Sequence, residues 1–262
     1  MDAATVDHHG RTTAYRLRDA GGEGPTILCI HGSGGSHAVW RGQFRLAGDY
    51  PVAALDLSGH GDSDDIDAEP GYETLSAYVD DVVAVADATG ASVLVGNSLG
   101  GAVVMTLALE RDLDLDALVL TGTGAKLAVL DDLLNWLDDD FDRAVSFLHG
   151  DDKLFHSDDE RFIDGSKQAM YDAGQAVTSR DFRSCHTFDV RDTLDEIAVP
   201  TLALVGEHDR LTPPSYHEYL ADSMPDCEMA TIADAAHLAM LEQPAAFNAA
   251  VKSFLDQRVS ET

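Results

Sequence analysis

Along this chain, short runs of aliphatic and β-branched residues alternate with longer stretches in which apolar positions recur every three to four residues. The runs at 26–30, 51–55, 92–95, 116–120 and 199–205 are nearly continuous in Val, Ile, Leu and Ala. A strand with one wet face alternates apolar and polar residues, whereas a continuous run predicts burial on both faces. Segments 74–89, 101–111 and 243–258 carry helical spacing, and strand–helix alternation predicts parallel strands joined by crossover helices. Thr5-Val6 and Thr13 to Leu17, broken at His9-Gly10, predict a hairpin at the sheet's edge. With 262 residues the chain is long enough for one domain with a sizeable core.

From about Gly124 to Thr193 the strand signals vanish. Leu127, Leu130, Leu134, Leu137 and Phe141 recur at helical spacing, and Ala144 to Leu148 follows. The expected organisation is a core of residues 1–123 and 194–262 with a helical cap or lid over 124–193. An apolar stripe of this kind packs against the core; a lid must also leave a cleft. Trp136, Phe141, Phe147 and Phe155 are candidates to line that cleft, with Trp136 and Phe141 as candidate substrate contacts.

The stretch Ser92 to Gly101 carries the chemistry. An apolar run ends in Gly96-Asn97-Ser98-Leu99-Gly100, and a helix-forming run follows at once. Strand, sharp turn and helix with a serine at the apex make a nucleophile elbow, in which a Cβ at either glycine would crowd facing backbone. The turn pushes the Ser98 hydroxyl outward and leaves the Leu99 N–H at the start of the new helix. An ordinary loop serine is the plain alternative, and the flanking strand and helix argue against it. A serine hydroxyl needs a base, and the base needs an orienting group. Asp209 ends the apolar run Leu202 to Gly206, and His237 follows the strand-like Glu228 to Ile232. The order Ser98, Asp209, His237 is one of the known serine-hydrolase orders. Asp234 is the runner-up for the acid, and His208 a weak competitor for the base. Upstream, Thr26 to Ile30 stops at His31-Gly-Ser-Gly-Gly-Ser36. The amides of Ser33 and Gly34 are both candidates to hold an oxyanion together with Leu99. Asn97, beside the serine, is a candidate substrate contact.

These segments together resemble the α/β-hydrolase superfamily. His31-Gly32 is similar to its oxyanion loop, and Asp56-Leu-Ser-Gly-His-Gly-Asp-Ser63 to its aspartate-x-proline-glycine-x-glycine-x-serine turn, with Ser58 in place of the proline. Gly96 to Gly100 resembles the elbow, Gly206 to Asp209 the acid turn, and Ala236-His237 the base. The resemblance implies a mostly parallel eight-stranded sheet flanked by helices, with a lid after the sixth strand. It also implies a serine hydrolase that needs no cofactor. Serine at the elbow, where related dehalogenases and epoxide hydrolases carry aspartate, disfavours those reactions. Asn97 and His31-Gly-Ser-Gly also resemble carbon–carbon bond hydrolases acting on ring-fission dienones. Leu238 stands where that group usually has tryptophan, and Leu241-Glu-Gln-Pro244 is closer to ester and enol-lactone hydrolases. The expected activity is cleavage of neutral carboxylic esters of short to medium acyl chain, with carbon–carbon or enol-lactone hydrolysis as the alternative. A ligand receptor or a lyase on the same fold is a third reading.

Composition adds a different constraint. Lys plus Arg number 17 against 47 Asp plus Glu, a formal charge of −30. Self-repulsion on this scale is relieved by screening, and the acids are spread along the chain rather than gathered in a tail. A halophilic source is the economical expectation. Nucleic acid is excluded as a partner and an anionic membrane is disfavoured; a small ester is the expected partner of a monomer or small homo-oligomer. Three cysteines without paired spacing are expected to be reduced, with Cys29 in the core. The start Met1-Asp-Ala-Ala lacks a charged-then-apolar pattern, so a cytoplasmic location is expected. Eleven histidines show no metal-ligand spacing, and no metal is expected.

Overall fold

The continuous apolar runs become the strands of one eight-stranded sheet. The computed structural model of the chain describes residues 1–258 of the 262. The strands are β1 (Asp2–His8), β2 (Arg11–Arg18), β3 (Thr26–Ile30), β4 (Val52–Leu55), β5 (Ala91–Asn97), β6 (Ala117–Thr121), β7 (Thr201–Gly206) and β8 (Cys227–Ile232). Their spatial order is β1-β2-β4-β3-β5-β6-β7-β8. β1 and β2 form the antiparallel edge hairpin, β2 runs antiparallel to β4, and every later pairing is parallel. His9 (φ 47°) and Gly10 (φ 78°) supply the two positive φ angles that a tight two-residue hairpin turn demands. Every residue of β4, β6 and β7 is buried, while edge strand β1 keeps an alternating half-exposed pattern.

The helices are α1 (Tyr72–Thr89), α2 (Leu99–Glu110), α3 (Asp131–Asp139), α4 (Phe141–Leu148), α5 (Glu160–Thr187), α6 (Pro214–Ser223), α7 (Ala239–Glu242) and α8 (Pro244–Arg258). Period-two geometry splits the core into two apolar layers. Leu28, Ile30, Leu94 and Leu118 face α1 and α2, where they meet Tyr78, Val82, Val103 and Leu107. Ile27, Cys29, Val93, Val95 and Val119 face the other way, toward Trp40 and the Phe247, Val251 and Phe254 stripe of α8. α2 is buried from Leu99 to Leu107, as expected of a helix that is apolar all round. α1 stops at Gly90, whose left-handed backbone (φ 64°) closes the last turn. Cys29, Cys185 and Cys227 are free thiols.

Between β6 and β7 the chain leaves the sheet for α3, α4 and α5. Leu133, Leu137, Ala144, Val145, Leu148 and Met170 from this insertion join the layer that holds Trp40 and α8. Its two stems are tied where Val190 N donates to Ala125 O at 2.8 Å and Lys126 bridges Asp189. α5 bends at Gly174 (φ 81°, ψ 166°), a conformation closed to most side chains. Among the described residues no helix is long and apolar enough to cross a membrane.

Candidate active site

β5 ends at Asn97, α2 begins at Leu99, and Ser98 between them sits at φ 55°, ψ −116°. This is a strained backbone for a residue with a Cβ, of the kind held in place only by its surroundings. Those surroundings are on β6 and just after it: Ser98 N donates to Thr121 O (3.0 Å), and Thr123 Oγ1 donates to Ser98 O (2.9 Å). The flanking glycines are obligatory. A Cβ on Gly96 would lie 2.4 Å from Gly100 O, and one on Gly100 would lie 2.4 Å from Ile30 O.

The ends of β7 and β8 press together at Gly206, where a Cβ would come within 2.1 Å of Ala236 O. This contact brings Asp209 and His237 side by side. His237 Nδ1 lies 2.9 Å from Asp209 Oδ2, and both side chains are buried. The remaining capacity of the carboxylate is filled by Leu211 N (2.8 Å), Thr212 N (2.9 Å) and Thr212 Oγ1 (2.8 Å). Burial by itself would raise the Asp209 carboxyl; the charge and hydrogen bond of His237, with the Thr212 donors, bring it below its ordinary value. An ionised Asp209 fixes the proton on Nδ1 and leaves the lone pair of His237 on Nε2. Ser98 and His237 line one cavity of about 690 Å³. Among the described residues no hydrogen bond joins them in this conformation; such contacts commonly tighten only around substrate.

The loop after β3 closes over the serine, for a Cβ on Gly32 would meet Ser98 Cβ at 3.0 Å. His31 sets its shape: Nδ1 donates to Gly32 O (2.8 Å) and Nε2 accepts from Leu57 N (3.1 Å). Burial holds the His31 imidazole down at about 4, the neutral form that this acceptor role requires. Of the two candidate loop amides, Gly34 N is already spent on Asp181 Oδ2 (3.1 Å), which removes it as an oxyanion donor. The amides of Ser33 and Leu99 have no acceptor among the described residues.

Asn97 lines the cavity, but its Nδ2 donates to Thr121 O (3.2 Å) and His237 O (3.4 Å), so it ties the base loop to β6. Trp136 and Phe141 are not cavity residues, contrary to expectation. Leu130 and Leu133 line the cavity and it ends there. One turn further along α3, Trp136 packs edge-on to Phe147 (5.3 Å) beneath the Arg143 guanidinium (4.1 Å). Phe141 packs edge-on to Tyr171 at 5.8 Å. Of the four candidates only Phe147 lines the cavity, joined by Phe162, Met170 and Phe182 with Leu154, Leu238 and Leu241, while Phe155 stacks on Phe162 (6.3 Å) outside the lining. Phe162, Met170 and Phe182 lie on α5, where scattered apolar residues among charged and polar ones mark no inner face in the sequence.

Asp234 is an exposed turn residue (φ 52°) whose carbonyl accepts from Gln243. His208 stacks on His156 at 3.7 Å, and with Asp152 the two form the one group of metal-ligand types that converges among the described residues. The Asp152 oxygens are held by His156 Nδ1 (2.7 Å) and Arg210 Nη2 (2.8 Å), so the group is complete as an ion-pair cluster.

A strained elbow serine, an Asp–His pair in that chain order and a parallel sheet that presents all three at one rim point to a single family. A model of the alpha/beta hydrolase family matches residues 27–250. The chain belongs to that family. Among its relatives in the family is a pimeloyl-[acyl-carrier protein] methyl ester esterase of Neisseria meningitidis, 28% identical over 251 residues, with 88% of this chain and 93% of that protein covered. A 2-hydroxy-6-oxo-6-(2'-aminophenyl)hexa-2,4-dienoic acid hydrolase of Metapseudomonas resinovorans is 28% identical over 256 residues, covering 92% of this chain and 87% of that one. Among solved structures, a thermophilic esterase superposes with a TM-score of 0.85 at 31% identity, covering 98% of both chains. An N-acyl homoserine lactone degrading enzyme superposes at 0.84 with 26% identity, covering 96% of this chain and 100% of that one.

Proposed function

We propose that this hydrolase is a serine carboxylesterase that cleaves esters of short to medium acyl chain through an acyl-enzyme on Ser98. The observation that carries the reading is the strained elbow serine sharing a cavity with an imidazole whose Nδ1 is held by Asp209. His237 Nε2 takes the Ser98 proton as the hydroxyl oxygen adds to the ester carbonyl. The negative oxygen of the tetrahedral intermediate is received by the Ser33 and Leu99 amides at the N-terminus of α2, where donors and helix dipole favour negative charge. His237 then protonates the leaving alcohol, and water repeats the sequence on the acyl-enzyme. Asp209 keeps the Nδ1 tautomer and stabilises the transient imidazolium. The esterase relatives and the largely apolar cavity wall support an uncharged acyl chain as a baseline substrate.

Chromogenic acyl esters of graded length test the proposal. Ser98→Ala should lower kcat by about 10⁴-fold or more, and a fluorophosphonate should label the wild type but not the variant. Equal labelling and turnover by both proteins would reject it. Carbon–carbon bond hydrolysis is the second reading, supported by the Metapseudomonas relative and by Asn97 beside the nucleophile. Turnover of a ring-fission dienone with none of the esters would favour it.

A further inference from the structure

The charge of the cavity runs opposite to that of the chain. Lys and Arg total 17 against 47 Asp and Glu overall, yet the cavity wall carries Arg41, Lys153, Arg161 and Arg210 and only one acid, Asp151. Two of these cations are matched: Arg161 pairs with Asp159 at 2.6 Å and Arg210 with Asp152 at 2.8 Å. Lys153 and Arg41 have no ion pair among the described residues. Each is instead set over an aromatic ring of the same wall, Lys153 Nζ at 4.6 Å from the Phe147 centroid and Arg41 at 5.5 Å from that of Phe162. Lys153 Nζ thus faces an aromatic ring and not a carboxylate, which leaves its N–H donors available to an incoming anion.

Lys153 is also anchored to the base. Its carbonyl accepts from His237 N (3.2 Å), and the next carbonyl, of Leu154, accepts from Leu238 N (3.0 Å). Arg210 N donates to Asp152 O (3.1 Å), so this stretch of the insertion bridges the acid loop and the base loop. The half-buried Lys153 stem therefore starts at a fixed place beside His237, while Arg41 stands exposed on the wall. Beside the ammonium, the apolar face of Phe147 lowers the local dielectric and strengthens a charge–charge contact.

We propose that Lys153 is a specificity-determining residue that receives a carboxylate on the substrate, so that the preferred substrates are esters bearing a free carboxylate, such as monoesters of small dicarboxylic acids, with Arg41 drawing them in. The proposal rests on the esterase reading and deepens it: neutral esters fit the apolar wall, and the charged ones gain a further contact.

Matched pairs test it. 4-Nitrophenyl hemiglutarate against 4-nitrophenyl pentanoate places the charge on the acyl arm, and 4-butanoyloxybenzoate against phenyl butanoate places it on the alcohol arm. The readout is the ratio of kcat/KM within a pair, which cancels any general loss of activity. The wild type should favour the charged member of at least one pair by about tenfold, the worth of one hydrogen bond to a charged group. Lys153→Met should bring the ratio close to one, Lys153→Arg should keep much of it, and Lys153→Glu should invert it. Calorimetry on Ser98→Ala adds a readout independent of turnover: monomethyl glutarate should bind about tenfold tighter than methyl pentanoate, and the advantage should vanish in Ser98→Ala/Lys153→Met. No preference in the wild type, or a preference untouched by Lys153→Met, overturns the proposal. If no ester is cleaved while the calorimetric preference holds, the esterase reading fails and the carboxylate site stands.

Discussion

Among the described residues, two buried aspartate–histidine pairs have the same 2.9 Å spacing, Asp209–His237 at the cavity and Asp181–His60 beside the loop that follows β3. They differ in what the far nitrogen meets. His237 lines the cavity, and its Nε2 has no hydrogen-bond partner among the described residues. His60 is sealed, with Nε2 on Asp181 and Nδ1 3.2 Å from Ser58 O. Both of its nitrogens face acceptors, an arrangement that favours the doubly protonated ring. Burial alone would lower the His60 pKa and the neighbouring Arg180 charge adds to that, but the charge and hydrogen bond of Asp181 raise it overall. Asp181 also accepts from Tyr78 Oη (2.7 Å) and from Gly34 N. As Asp181 belongs to α5 and Gly34 to the loop after β3, this pair is a strut between the insertion and that loop. A histidine with both nitrogens engaged is a tether; one with a nitrogen left unpartnered has a site to offer.

The largest separation of the two pairs should come from Asp209→Asn. It keeps the shape and stabilises the wrong tautomer of His237, so kcat on a chromogenic ester should fall by about 10³–10⁴-fold with little change in the melting temperature. Asp181→Asn should do the reverse. Breaking a buried pair leaves His60 without its counter-charge, and denaturant unfolding should report a loss of about 3–5 kcal/mol. Its pH dependence sharpens the comparison. The folded pKa of His60 lies above 6.5, so its contribution is full below pH 6.5 and is lost as pH rises through that raised value. Asp181 lies below 3.8, so its contribution is present above pH 3.8 and lost as pH falls through the lowered value. The stability margin of wild type over Asp181→Asn, followed from pH 5 to pH 9, should be widest at the acidic end. A margin constant over that range would mean that His60 is neutral in the folded protein.

Salt separates buried from exposed charge. Screening of the −30 surface by molar KCl should raise the melting temperature by roughly 5–10 °C, the equivalent of about 2–3 kcal/mol. The gap between wild type and Asp181→Asn should persist, since a sealed pair is barely screened. A flat melting curve would remove the halophilic reading and leave the catalytic one intact. The smallest effect belongs to Thr212→Val, which takes away one donor to Asp209 and should lower kcat about tenfold while leaving Asp181–His60 untouched.

Much of this could be read along the chain because it depends on local order. The sheet's buried strands announce themselves as apolar runs, the His9-Gly10 turn as a hairpin, and the elbow as glycines that must lack a Cβ. The insertion was legible as helical, yet its inner face was not. Trp136 and Phe141 have the right residue types, but which turn of a helix reaches a cavity depends on where the helix is docked. α6 was missed because no clear apolar period marks residues 214–223; Pro214 at its first turn was the available cue. Thr212 lay three residues past the acid and stood out only once the Asp209 carboxylate was seen to need donors.

Local rules along the chain account for the sheet, the strand–turn–helix at Ser98 and the order in which Ser98, Asp209 and His237 follow one another, since each is set by which backbone conformations and buried faces neighbouring residues allow. Long-range contacts settle which of two loop amides is free, which of the aspartate–histidine pairs has an unpartnered nitrogen, and which cations face the cavity. Those are questions of competition between groups far apart in the chain, and a donor's partner is settled only when every rival acceptor has been brought within reach.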